Sequence, residues 1–449
     1  MELRDYQIEL ANKCINVLNE HKIVYLTAEV RTGKTLTSLE TAKLYGAKSV
    51  LFLTKKKAIS SIKSDYDNFG YKSHFDILII NDESMHKIDG IFDLVIHDEH
   101  HRFGSFPKPS NGTKLFKEKY GNLPMIFLSG TPHPESKMQI FHQFWVSNNH
   151  DFSKINFYKW HKLYGFIGYK FDLGYGLVTN YDSSLNTMYK YYGIMKRKVK
   201  KEDTERLNEI KEYMSIDAEK IKQAEQKLDD TISKYLVTFT QSQAGFTSEV
   251  EERILTVPMK DITYKLCNRL IKDKVIVGKD NVILADTAVK LQSKLHQLYS
   301  GTIKFENGDT KVIDYSKAEF IRDYFKGEKI GIFYKFKAEY DMLKEIFGDK
   351  LTDNIEEFDS TDKCIALQVV SGREGISLKN AKYLIFLNIC FSAVSYFQAR
   401  DRLTTKDRLN NIVYWVFSDR GIEEKIYKTV QSKKSFTTNV FKKEYNIKN

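Results

Sequence analysis

The run Ala28-Glu29-Val30-Arg31-Thr32-Gly33-Lys34-Thr35 constrains this chain more than any other stretch. It follows an apolar, β-branched segment, KIVYLTA, and precedes a helical pattern, TLTSLETAKLYGA. A strand that turns through Gly-Lys-Thr into a helix aims loop amides and a helix N-terminus at one point, which suits a phosphate. On that reading Lys34 reaches the β- and γ-phosphates of a nucleotide, Thr35 ligates Mg²⁺, and Arg31, Thr32 and Gly33 form the cradle. The first position is Ala28, where the strict pattern has glycine.

Similar apolar runs recur from residue 20 to about 145: KSVLFLT, DILIIND, FDLVIHDEH and MIFLSGTP. Unbroken runs of this length, each followed by a turn or helix, read as parallel strands buried on both faces. A second series, KIGIFYKF, KCIALQVVSG, AKYLIFLNI and NIVYWVFS, comes late in the chain. At 449 residues the chain is too long for one core. The predicted fold is therefore α/β with two parallel-sheet lobes, 1–145 and 286–449. Between them, 146–285 is predicted to be a largely helical accessory region. It is aromatic and Lys-rich first, then charged with apolar positions near helical spacing, and has no proline from Gln139 through Val257.

Phe92-Asp93-Leu94-Val95-Ile96-His97-Asp98-Glu99 is an apolar strand ending in two adjacent carboxylates. Downstream of a phosphate loop, Asp98 can hold the Mg²⁺ shell and Glu99 can orient or deprotonate a water, as phosphoryl transfer requires. The neighbouring histidines have no Cys partner, and consecutive side chains point apart, so coupling to the SGTP loop is the better reading than metal ligation. The four cysteines lie far apart with no CxxC pair, which indicates neither a zinc site nor a disulfide framework and suits a reducing compartment. No stretch reaches the ~18 apolar residues of a membrane span, and a cytoplasmic location is expected. Seventy Lys and Arg against 59 Asp and Glu give a net charge of +11, which favours a polyanionic partner or simply keeps the surface solvated.

The motif order through both series resembles the superfamily-2 helicases, specifically the Swi/Snf-like group and its compact phage and prophage members. LRDYQ is similar to the adenine-recognition motif and would place Gln7 against the base. VRTGKT and DEHH resemble motifs I and II, and Ser129-Gly130-Thr131-Pro132 resembles motif III. LFLTKKKAISSIKSDYDNFG resembles motif Ia, with Thr54 and Lys55 near a phosphate of the tracked strand; a solvated helix start would read the same way. GIFYKFKAEYDML, which contains Lys335, resembles motif IV, and Ser371-Gly372-Arg373-Glu374-Gly375-Ile376-Ser377-Leu378 resembles motif V.

The resemblance implies two RecA-like lobes whose facing surfaces use ATP and Mg²⁺. It implies ATP contacts from Gly375 and Gln398, nucleic-acid contacts from Lys335, Ser371 and Gly372, and coupling through His101, Ser129 and Thr131. Tyr396-Phe397-Gln398-Ala399-Arg400-Asp401-Arg402 opens like motif VI, but Thr405 stands where the family has a second arginine. Loss of such an arginine costs about 10³-fold or more in turnover. Arg402 is the expected finger, with Arg400 and Arg408 as alternatives, or hydrolysis is slow. The group favours duplex or branched DNA and work on replication or recombination intermediates, with a monomer expected. An RNA helicase and an ATP-dependent nucleic-acid clamp with weak hydrolysis stay open. Lys198, in the run Lys196-Arg197-Lys198-Val199-Lys200-Lys201, reads as a backbone contact or a solvated face. Trp160, Tyr164 and Phe166 read as stacking platforms or as a small core.

Overall fold

The computed structural model describes residues 2–29, 32–130, 132–133, 136–174, 176–200, 202–245, 250–278, 281–369, 378, 380–391 and 411–431. The chain divides into two compact units, Met1–Ala244 and Gly245–Asn449.

In the first unit β1 (Ile23–Ala28), β2 (Ser49–Thr54), β3 (Asp76–Asn81), β4 (Leu94–His97), β5 (Met125–Leu128) and β8 (Leu236–Phe239) form one sheet in the order β3-β2-β4-β5-β1-β8. Every pairing is parallel. Successive side chains on a strand point to opposite faces, and here both faces are covered. Ile23, Tyr25, Leu51, Leu53, Val95 and Phe127 enter one core cluster. Val24, Leu26, Val50, Phe52, Leu94, Ile96 and Leu128 enter the other. Two-sided burial is the reason these strands read as unbroken apolar runs. The flanking helices are α1 (Asp5–His21), α2 (Lys34–Tyr45), α3 (Ile59–Asn68), α4 (Asn111–Tyr120), α5 (Ile140–Trp145), α6 (Phe157–Tyr164), α7 (Leu185–Lys198) and α8 (Thr204–Ser233). A two-stranded antiparallel ribbon, β6 (Tyr169–Asp172) and β7 (Leu177–Asn180), lies beside α7 and α8.

The second unit repeats the architecture. Its main sheet runs β15 (Leu351–Thr352), β16 (Cys364–Gln368), β14 (Ile330–Tyr334), β17 (Tyr383–Phe386), β18 (Asn411–Ser418) and β9 (Val250–Val257), again all parallel. Phe333, Ile365, Phe386 and Trp415 face one cluster, and Ile332, Ala366, Ile385 and Val416 the other. Small hairpins β10 (Val275–Val277) with β11 (Val282–Leu284) and β12 (Thr302–Lys304) with β13 (Thr310–Val312) accompany it. Its helices are α9 (Asp261–Asp273), α10 (Ala288–Tyr299), α11 (Ser316–Tyr324), α12 (Lys337–Phe347), α13 (Ile355–Ser360) and α14 (Glu423–Gln431). Two helix-flanked parallel sheets are the α/β, two-RecA-like-lobe fold that the strand pattern implies.

The stretch 146–285 does not stand apart from these units. Phe157, Trp160, Tyr164 and Phe166 share a core cluster with Tyr25 and Phe127, and the C-terminal half of α8 joins it through Ala224, Leu228 and Ile232. The candidate base-stacking aromatics Trp160, Tyr164 and Phe166 are thus buried, at 0%, 9% and 6% exposure, and have no free face to offer a base. β8 then adds an edge to the first sheet, while β9, α9 and the β10–β11 hairpin belong to the second unit. The expected boundaries at 145 and 285 miss this because edge strands and packing helices carry no composition change at the seam. Among the described residues, only the ribbon, α7 and the first half of α8 form a separate small cluster.

In the second unit Lys317 and Glu423, both 0% exposed, form an ion pair of 2.7 Å. Ser418 Oγ donates to the other Glu423 oxygen at 2.9 Å, and Lys317 also donates to Leu387 O at 3.4 Å. Removing one partner strands a buried charge, so Lys317→Met is expected to cost about 3–5 kcal/mol in denaturant unfolding. Lys317→Met combined with Glu423→Leu should recover most of it. A single variant as stable as the wild type would mean that water already solvates the pair.

Candidate nucleotide-binding site

The site grows from the carboxyl end of the first sheet, where β2 and β4 end side by side and β1 ends one strand further on, across β5. Beyond β1 the chain turns at Gly33, whose φ of 82° is the left-handed conformation, and enters α2 with Lys34. Thr32 is buried and its hydroxyl donates to Glu29 O at 2.8 Å, which braces the loop. Lys34 Nζ donates to Ala28 O at 2.8 Å and Glu29 O at 3.0 Å. Burial lowers the Lys34 pKa, and the charges of Glu99, Asp98 and Glu29 oppose that. Thr35, the next residue of α2, is half-buried.

Gln7 reaches this loop from α1. Its Oε1 accepts from Arg4 N at 3.0 Å, closing the helix start, and its amide nitrogen lies over Gly33. The left-handed φ favours glycine there, and a Cβ at Gly33 would come within 2.1 Å of Gln7 Nε2 and push the end of the Gln7 side chain aside. Beside Gln7, Tyr6 stacks on Phe239 of β8 with centroids 5.2 Å apart. That aromatic pair is invisible in sequence, since its members are separated by most of the unit.

Asp98 follows β4. Its carboxylate accepts from Thr54 Oγ1 at 3.0 Å and from the Glu99 amide at 3.0 Å. Burial first, and the adjacent Glu99 charge second, push its pKa up to about 6, with Lys34 pulling the other way. Glu99 has a φ of 51°, so the chain leaves the strand through a left-handed residue. Glu99 Oε2 lies 3.2 Å from His101 Nδ1, which is also 3.0 Å from Ser129 Oγ. Burial, then the Lys55 charge, lowers the His101 pKa to about 4. The ring is therefore neutral, and an Nδ1–H can donate to the carboxylate beside the Ser129 hydroxyl.

A buried network behind this loop escaped the sequence reading. His100 Nε2 meets Gln143 O at 2.7 Å. A carbonyl only accepts, so that nitrogen carries the proton and His100 Nδ1 accepts from His97 Nδ1 at 2.6 Å. His97 Nε2 faces Asp82 at 3.3 Å, and Asp82 also pairs with Arg102. Gln143 ties the ends together: its Oε1 accepts from Tyr25 OH at 2.6 Å and its Nε2 donates to Pro132 O at 2.6 Å. Gln143 lies on α5, outside every motif, which kept it hidden.

The residues expected to contact nucleic acid are placed as follows. Thr54, expected near a nucleic-acid phosphate, is 1% exposed and spends its hydroxyl on Asp98, because the last residue of β2 abuts the end of β4. Lys55 is half-buried at the start of the turn that follows. Lys335, just past β14 in the second unit, is half-buried with Nζ 3.2 Å from His296 Nδ1 and 4.1 Å from the Phe391 ring centre. Burial lowers its pKa. Lys198 is exposed at the end of α7. Arg31, Thr131, Ser371, Gly372, Gly375, Gln398, Arg400, Arg402, Thr405 and Arg408 lie outside the described residues.

Residues 1–87 match the family model described as type III restriction enzyme, res subunit. Over these residues the chain is similar to that superfamily-2 helicase-like family, which supports an ATP-dependent enzyme that binds nucleic acid. The match spans Gln7, the phosphate loop, Thr54 and Lys55 and ends before Asp98. No curated protein matches the chain. No helix among the described residues is long and apolar enough to cross a membrane.

The donor set suits Mg²⁺. Thr35 and Asp98 offer hard oxygen donors only, and Mg²⁺ is commonly held by one or two protein oxygens together with substrate phosphates and water. No group of three or more His, Cys, Asp or Glu side chains that could cage a metal exists among the described residues.

Proposed function

We propose that the protein is an ATP-driven DNA translocase or helicase that acts on duplex or branched DNA, remodelling or branch-migrating replication or recombination intermediates. The observation that carries the reading is the convergence of Lys34 with the Asp98–Glu99 pair at one sheet end. Gln7 closes the same loop from α1.

On this reading ATP phosphates take over the Lys34 ammonium from Ala28 O and Glu29 O, and Gln7 meets the base. Bound Mg²⁺, held by Thr35 and Asp98, would neutralise phosphate charge. Glu99 orients the attacking water. His101 joins Glu99 to Ser129, so loss of the γ-phosphate near Glu99 is felt in the SGTP loop. Arg402 of the second unit supplies transition-state charge, with Gly375 and Gln398 near the nucleotide. Lys55, Lys335, Ser371, Gly372 and Lys198 grip the backbone. Alternating grip between the units needs only that ATP change their relative affinities for the strand. The preference for duplex DNA rests on the resemblance to the Swi/Snf-like group.

Steady-state ATPase with no nucleic acid, single-stranded DNA, duplex DNA, a four-way junction and RNA tests this directly. Strongest stimulation by duplex or junction DNA is expected. Preference for RNA would make the enzyme an RNA helicase, and ATP binding without turnover would make it a clamp, with Thr405 as the residue to explain.

A further inference from the structure

Both ends of the SGTP loop are held by side chains that belong to no motif. Gln143 is fully buried on α5, and its neighbours fix which way its amide points. Its Nε2 lies 2.6 Å from Pro132 O and 2.9 Å from Gln139 O, two acceptors, so Oε1 is the atom that faces the Tyr25 hydroxyl at 2.6 Å. The Tyr25 proton is therefore spent on Gln143. The Ser129 hydroxyl is a second hydrogen-bond partner of the Tyr25 oxygen, and it must be the donor there. With that proton committed, Ser129 Oγ accepts from Nδ1 of the neutral His101 at 3.0 Å, and the same nitrogen lies 3.2 Å from Glu99 Oε2.

Every donor in this series points the same way, from His101 beside Glu99, through Ser129, Tyr25 and Gln143, to Pro132 O. Hydrogen bonds aligned head to tail polarise one another, and in a dry interior the loss of any member is felt by the rest. The Gln143 main-chain oxygen meanwhile takes the His100 Nε2 proton at 2.7 Å, so one residue braces the carboxylate loop and the far end of the SGTP loop together. Packing alone does not call for these polar atoms. The Tyr25 ring sits against Phe127 and Phe144, a place that phenylalanine would fill, and Pro132 is only half-buried, so burial does not by itself demand a protein donor for its carbonyl.

We propose that Tyr25 and Gln143 are positioning residues that fix both ends of the SGTP loop against the Glu99–His101 pair, so that turnover of ATP and the grip on nucleic acid change together. The inference rests on the ATP-driven reading above and assigns the linkage to β1 and α5, outside the motifs. An apolar pair of the same shape would keep the core and the nucleotide loop but let the two loops move independently.

The test is a double-mutant cycle on the full chain, read as ATP turnover without nucleic acid and with saturating duplex DNA, or with RNA if that is the stronger activator. Gln143→Met keeps length and helix preference while removing both polar atoms, and Tyr25→Phe removes only the hydroxyl. Each is expected to cut the stimulated turnover about tenfold, the rate equivalent of one hydrogen bond, with unstimulated turnover and the KM for ATP at wild-type values. The double variant should lose no more than either single one, because a series is broken only once. It should nonetheless melt above Gln143→Met, since no buried hydroxyl is left facing a thioether. This separates positioning from scaffolding: stimulation that recovers in the double variant along with the melting temperature overturns the proposal. Unchanged stimulation in both single variants, or losses that multiply in the double variant, also overturn it and leave the translocase reading standing. A wild-type protein whose turnover responds to no nucleic acid overturns both.

Discussion

Lys34→Ala is expected to abolish ATP turnover, by at least about 10²–10³-fold, while leaving the fold intact. The turnover loss follows from position: the ammonium is half-buried at the sheet end, faces Asp98 and Glu99, and is the one side-chain cation identified in the phosphate loop among the described residues. Fold retention follows from its partners, which are two main-chain carbonyls, Ala28 O and Glu29 O, that water can reach once the side chain is gone. The change also removes the desolvation cost of a half-buried cation, so the melting temperature should hardly move. Steady-state turnover with saturating nucleic acid and a thermal melt decide it. Wild-type turnover would show that ATP is handled elsewhere, and a collapse in melting temperature would show that Lys34 is part of the scaffold.

Asp98→Asn should give the opposite pairing, lost activity with gained stability. Turnover is expected to fall by at least about 10²-fold, because the metal-facing charge is gone. The stability sign follows from the carboxyl's raised pKa. With a folded value near 6 against 3.8 for the free side chain, the folded protein holds a proton that the unfolded chain releases. Stability from this group is therefore fully present below the lower value and is lost as pH rises through about 6, leaving a charged, desolvated carboxylate at neutral pH. A displacement of that size corresponds to on the order of 2–3 kcal/mol. The gain will be smaller, since Lys34 loses a counter-charge. Thr54 Oγ1 can reverse to accept from the new amide, and the amide oxygen can still take the Glu99 N–H. The nucleotide-free, Mg²⁺-free variant should thus melt a few degrees higher near neutral pH, and the difference should shrink on acidification below about 6. A variant that melts lower at neutral pH would mean that Asp98 is stabilised by its partners more than it is penalised by burial.

These two effects meet at the Glu99–His101–Ser129 contact. His101 is kept neutral, so it can join a carboxylate to a hydroxyl without adding a charge that would compete with phosphate. A site that keeps a half-buried lysine and two adjacent carboxylates in one place stores electrostatic cost that, on the proposed function, phosphates at Lys34 and Mg²⁺ at Asp98 would relieve, a common exchange of stability for function.

Local pattern alone determined the two lobes, the strands ending at Ala28, Thr54 and His97, and the candidacy of Lys34, Thr35, Asp98 and Glu99. Strand burial on both faces and a strand-loop-helix turn leave period and composition signals that need no knowledge of neighbours. Tertiary structure decided what depends on which strands lie side by side. The parallel pairing of β2 with β4 buried Thr54, expected near a phosphate, and set its hydroxyl to donate to Asp98. The addition of β8 beside β1 brought Phe239 to Tyr6 and drew 157–239 into the first unit. Trp160, Tyr164 and Phe166 became core, and Gln143 became the hub joining Tyr25, His100 and Pro132. None of these leaves a sequence signal, because each is a tertiary contact made only when helices and edge strands close over the sheet.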